Sequence, residues 1–393
     1  METIEAPTRE ELVHRASDLI PLLRKNALSG EEDRCLPQET VEALAGSGIL
    51  RMRVPHRYGG YESDMRTVVD TLAELARGDG SAAWTASVWA ISSWMMGMFP
   101  DEVQDEVFSD PDVRISGIIS PTATARKVPG GVVVSGKWAF NSGVRHSSWN
   151  TNAAILVGDE GQPQPVMLAI PVSDLTVVDD WHTAGLRGSG SVTTVAEDLF
   201  VPQQRVLPMG PVLEGRHLSV LNADSPLYRT PFMPTACATI AAPALGLAKG
   251  AKDVFFERLP GRKITYTAYE SQQEAPLTHL QVAEATVKID EAEFHAHRAA
   301  RTVDTKGAAG EEWTLEERAR VRLDLGAVTQ RAKEAVDILN TASGGSSVYS
   351  SVPIQRIERD VQTLNLHAIL HPNTNLELYG RILCGLEPNT VYL

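Results

Sequence analysis

The sequence predicts an α+β protein: an N-terminal helical domain over residues 1–112, a central antiparallel β-barrel or sandwich over 113–207, and a C-terminal four-helix bundle over 208–393. Three observations carry this. Apolar residues recur at helical spacing through about the first 110 residues. Short β-rich runs between Gly, Pro and Asp turns fill the middle, and long helical stretches follow a proline-rich connection. A length of 393 residues suits two or three domains or one composite unit, and a hydrophobic content of 43% suits a folded, soluble chain.

Each element follows in order. Leu12, Ala16, Ile20 and Leu23 lie on one helix face, and 37–44 forms a second helix that stops at Gly46. Tyr58-Gly59-Gly60-Tyr61 makes a tight loop, after which Asp64 caps a helix over 65–77 with Val68, Leu72 and Leu75 inward. Residues 81–100 carry no charge, over about the length of a membrane span. They hold Thr85, Ser87, Ser92, Ser93 and three tryptophans between acidic flanks, Asp79 and Asp101, so the stretch reads as a helix buried in protein or lining a cavity. In the middle, Gly130-Gly131 turns into 132–134, and β-rich runs follow at 153–157, 166–170, 175–178, 192–195 and 199–202. The connection 208–226 leads to helices over 241–259, 275–302, 315–342 and 353–370, with 306–312 as a polar turn. Residues 231–248 are also uncharged and, with 81–100, are expected to wall a pocket.

Composition limits the partners. Lys and Arg number 36 against 50 Asp and Glu, and a formal charge of -14 argues against binding a phosphate backbone, so no nucleic acid is expected. Cys35, Cys237 and Cys384 are far apart with no pairing or metal spacing, which suits a reducing compartment. The first residues lack a basic region and apolar run; a cytoplasmic protein without membrane attachment is expected. No Gly-x-Gly-x-x-Gly follows a strand, so a nicotinamide fold is absent, and neither a phosphate loop nor a Gly-x-Ser-x-Gly elbow is present. His295 and His297 point to different helix faces, and His367 and His371 share a face with no carboxylate to complete a set, so no metal site is expected.

The densest chemistry lies at residues 179–191, Asp-Asp-Trp-His-Thr-Ala-Gly-Leu-Arg-Gly-Ser-Gly-Ser. Three glycines allow close backbone approach, while Arg187, Ser189 and Ser191 offer a charge and two hydroxyls, as for a bound anion or polar ring. Taken alone, such a loop is also a common surface turn.

The helical, β, helical order and its motifs resemble the acyl-CoA dehydrogenase fold and, within it, the two-component flavin-dependent monooxygenases. The markers are Val54-Pro55 with Tyr58-Gly59-Gly60; Gly80-Ser81 before Trp84; Ser116-Gly117 to Pro121; and Gly136-Lys137-Trp138-Ala139-Phe140-Asn141-Ser142-Gly143. Trp181 with the 185–191 loop, Val201-Pro202, and Arg359-Asp360 with His367 complete them. The resemblance implies that Trp138, Phe140, Asn141 and Ser142 lie against a flavin ring, with Ser142 near its N5 edge and Ser120 also touching it. Arg187, Ser189 and Ser191 would cradle the pyrimidine end and phosphate tail. Arg262 would reach a diphosphate across a subunit boundary, although beside Lys263 it reads equally as a solvated basic loop.

Two departures shape the reaction. Dehydrogenases of this fold carry a catalytic glutamate about eight residues after the Arg-Asp pair, and here that place is Ala368. His367, beside it, matches the histidine that hydroxylating members use, though a core histidine is the plainer reading of the residue itself. Phenol-hydroxylating relatives have a histidine where this chain has Ser92, which favours an electron-rich substrate such as an indole, a thiophene-like ring or an amine. Trp84, with Ser92, would line its pocket, although tryptophans in a buried helix are commonly plain core.

The resemblance therefore implies a monooxygenase fed with reduced FAD, favoured over reduced FMN, by a separate NAD(P)H:flavin reductase. A flavin C4a-hydroperoxide formed with molecular oxygen would oxygenate an aromatic or heteroaromatic small molecule in biosynthesis or catabolism, Ser142 and His367 assisting, in a homotetramer. The alternatives are an amino-sugar or amine N-oxygenase of the same family, an acyl-CoA dehydrogenase, and a non-catalytic scaffold.

Overall fold

In a computed structural model that describes residues 6–158 and 162–393, helices occupy both ends of the chain and strands its middle. The leading helices are α1 (Arg9–Asp33), α2 (Gln38–Gly46), α3 (Met65–Ala76), α4 (Gly80–Met96) and α5 (Asp101–Val107). Thr8, Asp64 and Asp79 satisfy backbone N–H groups that α1, α3 and α4 would otherwise leave unpaired; Asp64 accepts from Thr67 at 2.7 Å as expected. α4 is the uncharged stretch. It is buried nearly all round, with Trp89 and Trp94 in the core, as a helix without a polar face must be.

The strands β1 (Ile115–Val128), β2 (Gly131–Asn141), β3 (Trp149–Val157), β4 (Gln164–Pro171), β5 (Thr176–Val178), β6 (Val192–Pro202) and β7 (Val206–Pro208) form one sheet in the order β5-β6-β2-β1-β3-β4-β7. The expectation of a wholly antiparallel barrel is corrected at one pair: β1 and β3 run parallel. β2 ends beside the start of β1, and the short link through 142–148 steps over that end, so β3 sets out in the direction of β1. β4 and β6 touch although three strands separate them in the sheet, so the sheet is curled. Its inner side chains, among them Val132, Val134, Trp138, Leu168 and Val201, close on one another in a core of their own.

The chain then forms α6 (Met209–Leu213), α7 (Phe232–Arg258), α8 (Pro276–Ala309), α9 (Leu315–Ala342), α10 (Pro353–Asn365) and α11 (Pro372–Leu383). α7 begins well before the expected 241 and takes Pro243 inside it. α8 runs through the expected turn to Gly310, whose φ of 64° ends it, because Lys306 is held by Glu317 and lies over the ring of Trp313 rather than in solvent. α10 stops at Asn365, and α11 is an additional helix. α7 packs against α3 as well as α8, α9 and α10, so the helices from both ends of the chain share one core. Among the described residues, no helix is long and apolar enough to cross a membrane.

Candidate active site

The loop around 185–191 is held from two sides. Leu186 (φ 50°) and Gly190 (φ 53°) take left-handed conformations on either side of a single 3-10 turn. A Cβ on Gly185 would lie 2.1 Å from the Arg359 carbonyl oxygen, so only glycine lets the loop dock on α10. The Leu186 N–H donates to Asp360 Oδ1 at 2.6 Å. Asp360 is buried and faces the α4 cap Asp79, and burial with that neighbouring carboxylate pushes its carboxyl up to about 7.

From this loop a line of hydroxyls runs to the end of β2. Ser189 Oγ donates to the Leu186 carbonyl at 2.7 Å, and Ser189 Oγ and Ser191 Oγ are 2.7 Å apart. Ser191 Oγ lies 2.6 Å from Ser142 Oγ, which also accepts from Trp84 Nε1 at 2.9 Å. All four side chains are buried. Trp84 in turn meets His367 edge-to-face, with ring centroids 5.3 Å apart. Four elements, α4, the end of β2, the 185–191 loop and the turn after α10, thus bring Trp84, Ser142, Ser189, Ser191 and His367 together.

Burial lowers the His367 imidazole to about 4, so it is neutral at ordinary pH. Its Nδ1 accepts the Ile369 N–H at 3.3 Å, which puts the proton on Nε2. The ring is therefore a neutral donor.

Other expected residues lie differently. Trp138 is fully buried in the sheet core and donates from Nε1 to the Ala153 carbonyl at 2.7 Å. Asn141 is equally enclosed: both amide hydrogens go to partners inside the sheet, Asn150 at 3.1 Å and Thr194 at 2.9 Å. Between them Phe140 turns out, 67% exposed, because its φ of 65° breaks the alternation of β2 where its register with β6 shifts. A non-glycine residue held there costs about 1 kcal/mol or more, and such strain gathers at functional sites. Phe140 meets Trp181 edge-to-face at 5.8 Å.

Arg187 does not reach toward the hydroxyl line. Its Nε donates to the Glu31 carbonyl at 3.0 Å and its Nη1 to that of Thr183 at 2.9 Å, clamping the loop to α1. Ser120 is exposed on the irregular part of β1, and Ser92 is buried on α4 facing Gly117 and Thr151. His295 and His297 each sit on a carboxylate, Asp324 at 2.9 Å and Asp70 at 2.8 Å.

Comparison with known proteins decides the family. Residues 17–109 match the acyl-CoA dehydrogenase N-terminal domain and residues 238–372 the acyl-CoA dehydrogenase C-terminal domain. The chain is 32% identical over 375 residues, covering 95% of itself and 98% of its relative, to the flavin-dependent monooxygenase oxygenase subunit HsaA of Rhodococcus jostii (strain RHA1). It is 31% identical to the oxygenase component of the FADH(2)-dependent resorcinol hydroxylase of Rhizobium sp. (strain MTP-10005), over 97% of this chain and 96% of that one. The solved structure of XiaF from Streptomyces sp., in complex with FADH2 and glycerol, superposes with a TM-score of 0.91 at 32% identity over 97% of both chains. The chain belongs to the flavin-dependent monooxygenases of the acyl-CoA dehydrogenase fold. It is an enzyme.

The site of this monooxygenase suits a flavin. An isoalloxazine ring is apolar on its faces and polar on its rim, and the exposed Phe140 ring, the Trp84 indole and the Ser142 hydroxyl are groups of both kinds that would fit it. Arg262 lies at a second place, beyond the end of α7. It donates to the Ser343 carbonyl, lines a cleft of about 500 Å³ with Lys263, Gly344 and Ser346, and is lowered from the usual arginine range by burial and by Arg258. Sequence reasoning missed the clamp that Asp360 and Trp181 place on the Leu186 backbone: both sit inside the quoted motifs, but the left-handed Leu186 that joins them has no sequence signature.

Proposed function

We propose that this protein is the oxygenase component of a two-component system, taking reduced flavin from a separate NAD(P)H:flavin reductase and hydroxylating an aromatic or heteroaromatic small molecule of indole type. The observation that carries the reading is the Trp84, Ser142 and His367 cluster, with Ala368 where a dehydrogenase would need its carboxylate base. When bound, reduced flavin supplies the electrons that activate molecular oxygen for transfer to the substrate.

The chain's own residues do the rest. Ser142 would hold the N5 edge, and the Nε2–H of the neutral His367 would orient the oxygen to be transferred and move its proton. The uncharged α4 keeps water from the reacting atoms. Ser92 stands where phenol-activating relatives carry a base, which favours a ring that needs no deprotonation. The cleft at Arg262 and Lys263 favours FAD over FMN, because only FAD has a diphosphate for it to hold. On α8, Leu277, Leu280, Val287 and Phe294 form an exposed apolar stripe on one face, which supports a homotetramer.

The test is a coupling screen: reduced FAD and reduced FMN with phenols, indoles and amino sugars, scoring oxygenated product against released hydrogen peroxide. Product from indoles with reduced FAD is expected. Reduction of bound flavin by an acyl-CoA, with no oxygenated product from any ring, would overturn the reading.

A further inference from the structure

The hydroxyl line that ends at Ser142 has a direction. The Leu186 carbonyl can only accept, and it receives Ser189 Oγ at 2.7 Å, the Trp181 indole N–H at 3.0 Å and the Ser189 N–H at 3.1 Å. The Ser189 proton is therefore spent on Leu186, so Ser191 must donate to Ser189 and Ser142 must donate to Ser191. At the other end the Trp84 indole can only donate, so Ser142 accepts from it. Both ends are one-way. The other acceptor near Ser142, the Phe140 carbonyl, is 3.4 Å away against 2.6 Å for Ser191.

A serine whose proton is committed and whose oxygen has taken one hydrogen bond keeps one lone pair. Toward a ligand it can accept and cannot donate. Reduced flavin carries a hydrogen on N5; oxidised flavin presents a lone pair there. We infer that Ser189 and Ser191 fix Ser142 as an acceptor and thereby make the site select reduced over oxidised flavin, an inference that rests on the flavin reading above. Ser189 and Ser191 are then specificity-determining residues that act through Ser142. Their line cannot turn over cheaply, since Asp360 holds the Leu186 N–H at 2.6 Å and both serines are buried.

The experiment measures anaerobic dissociation constants for reduced and oxidised FAD, and the midpoint potential of the bound flavin, in the wild type and in Ser189→Ala, Ser191→Ala and Ser191→Thr. In Ser191→Ala the Ser142 proton loses its acceptor; in Ser189→Ala the Ser191 proton loses its acceptor and can turn onto Ser142, which frees the Ser142 proton toward the ligand. The ratio of oxidised to reduced dissociation constants should fall about tenfold, the size of one hydrogen bond. For a two-electron couple that lowers the potential by about 30 mV. Ser191→Thr keeps a hydroxyl and should hold the ratio within about twofold. Ser189→Ala is the sharper variant, because Ser189 acts at one remove and its loss leaves Ser142 and Ser191 in place. An unchanged ratio and potential in Ser189→Ala, with the reduced form still bound and product still made, overturns this inference and spares the functional reading. Failure of the wild type to bind flavin in either state overturns both.

Discussion

The hydroxyl line at Ser142 and the basic cleft at Arg262 treat polar groups in opposite ways. In the first, every proton is assigned: Trp84, Ser142, Ser191 and Ser189 pass hydrogen bonds to a backbone carbonyl, and Ser142 keeps a lone pair but no free proton. In the second, cations are crowded. Arg258 lies close enough to Arg262 to lower it, and Arg258 Nη1 is buried with no partner among the described residues. A saturated network is rigid and selects by geometry, whereas unpaired like charges wait for an anion.

The largest test of this contrast lies on the saturated side. His367→Ala or Ser142→Ala should lower product formed per reduced flavin consumed about a hundredfold, with hydrogen peroxide in its place. Full coupling in His367→Ala would remove that residue from the chemistry. On the cationic side, Arg262→Ala should weaken reduced FAD about thirtyfold and leave FMN unchanged, as titration of each will show, and added salt should reproduce part of the loss. An equal loss for both flavins would break the assignment of the cleft to a diphosphate.

A third change asks whether a saturated residue outside the hydroxyl line serves architecture alone. Asn141→Ala strands Asn150 and Thr194 in the sheet, so it should cost about 2 kcal/mol in chemical denaturation and leave flavin affinity within about twofold. A fourth change concerns Asp360, whose folded value near 7 lies above that of the unfolded chain. Its contribution to stability is full below about pH 4 and is lost as pH rises through 7. Asp360→Asn keeps an acceptor for Leu186 and removes this loss, so its Tm relative to the wild type should rise by a few degrees between pH 4 and pH 8. A difference that stays flat with pH would mean that Asp360 is ionised in the fold throughout.

Motif order made the architecture legible, and so did local signals such as the Asp64 cap and the uncharged α4. Pairwise topology was less so. Nothing in 115–157 marks β3 as the parallel neighbour of β1, because that depends on which edge the 142–148 link crosses. Lys306 looked like a loop residue since its partners Glu317 and Trp313 lie on the far side of a turn. At the site, residue types were readable and directions were not. Trp138 and Phe140 are two apart on one strand and would share a face, but the φ of 65° at Phe140 turns one inward and the other out. Arg187 promised a ligand contact and serves the chain's own carbonyls instead, a choice that only the position of α1 decides.

The core shared by the two helical ends sets an order of events during synthesis. Leu72 on α3 and Leu245 on α7 belong to one cluster, while the sheet between them closes on its own apolar side chains. As the chain leaves the ribosome, the sheet has all its strands before α7 exists, and α1, α3 and α4 wait with apolar faces uncovered. Such distant pairings close late. Asp360 arrives later still, and with it the clamp on Leu186. The cluster of Trp84, Ser142 and His367 is therefore completed only once α10 and the turn after it have been made.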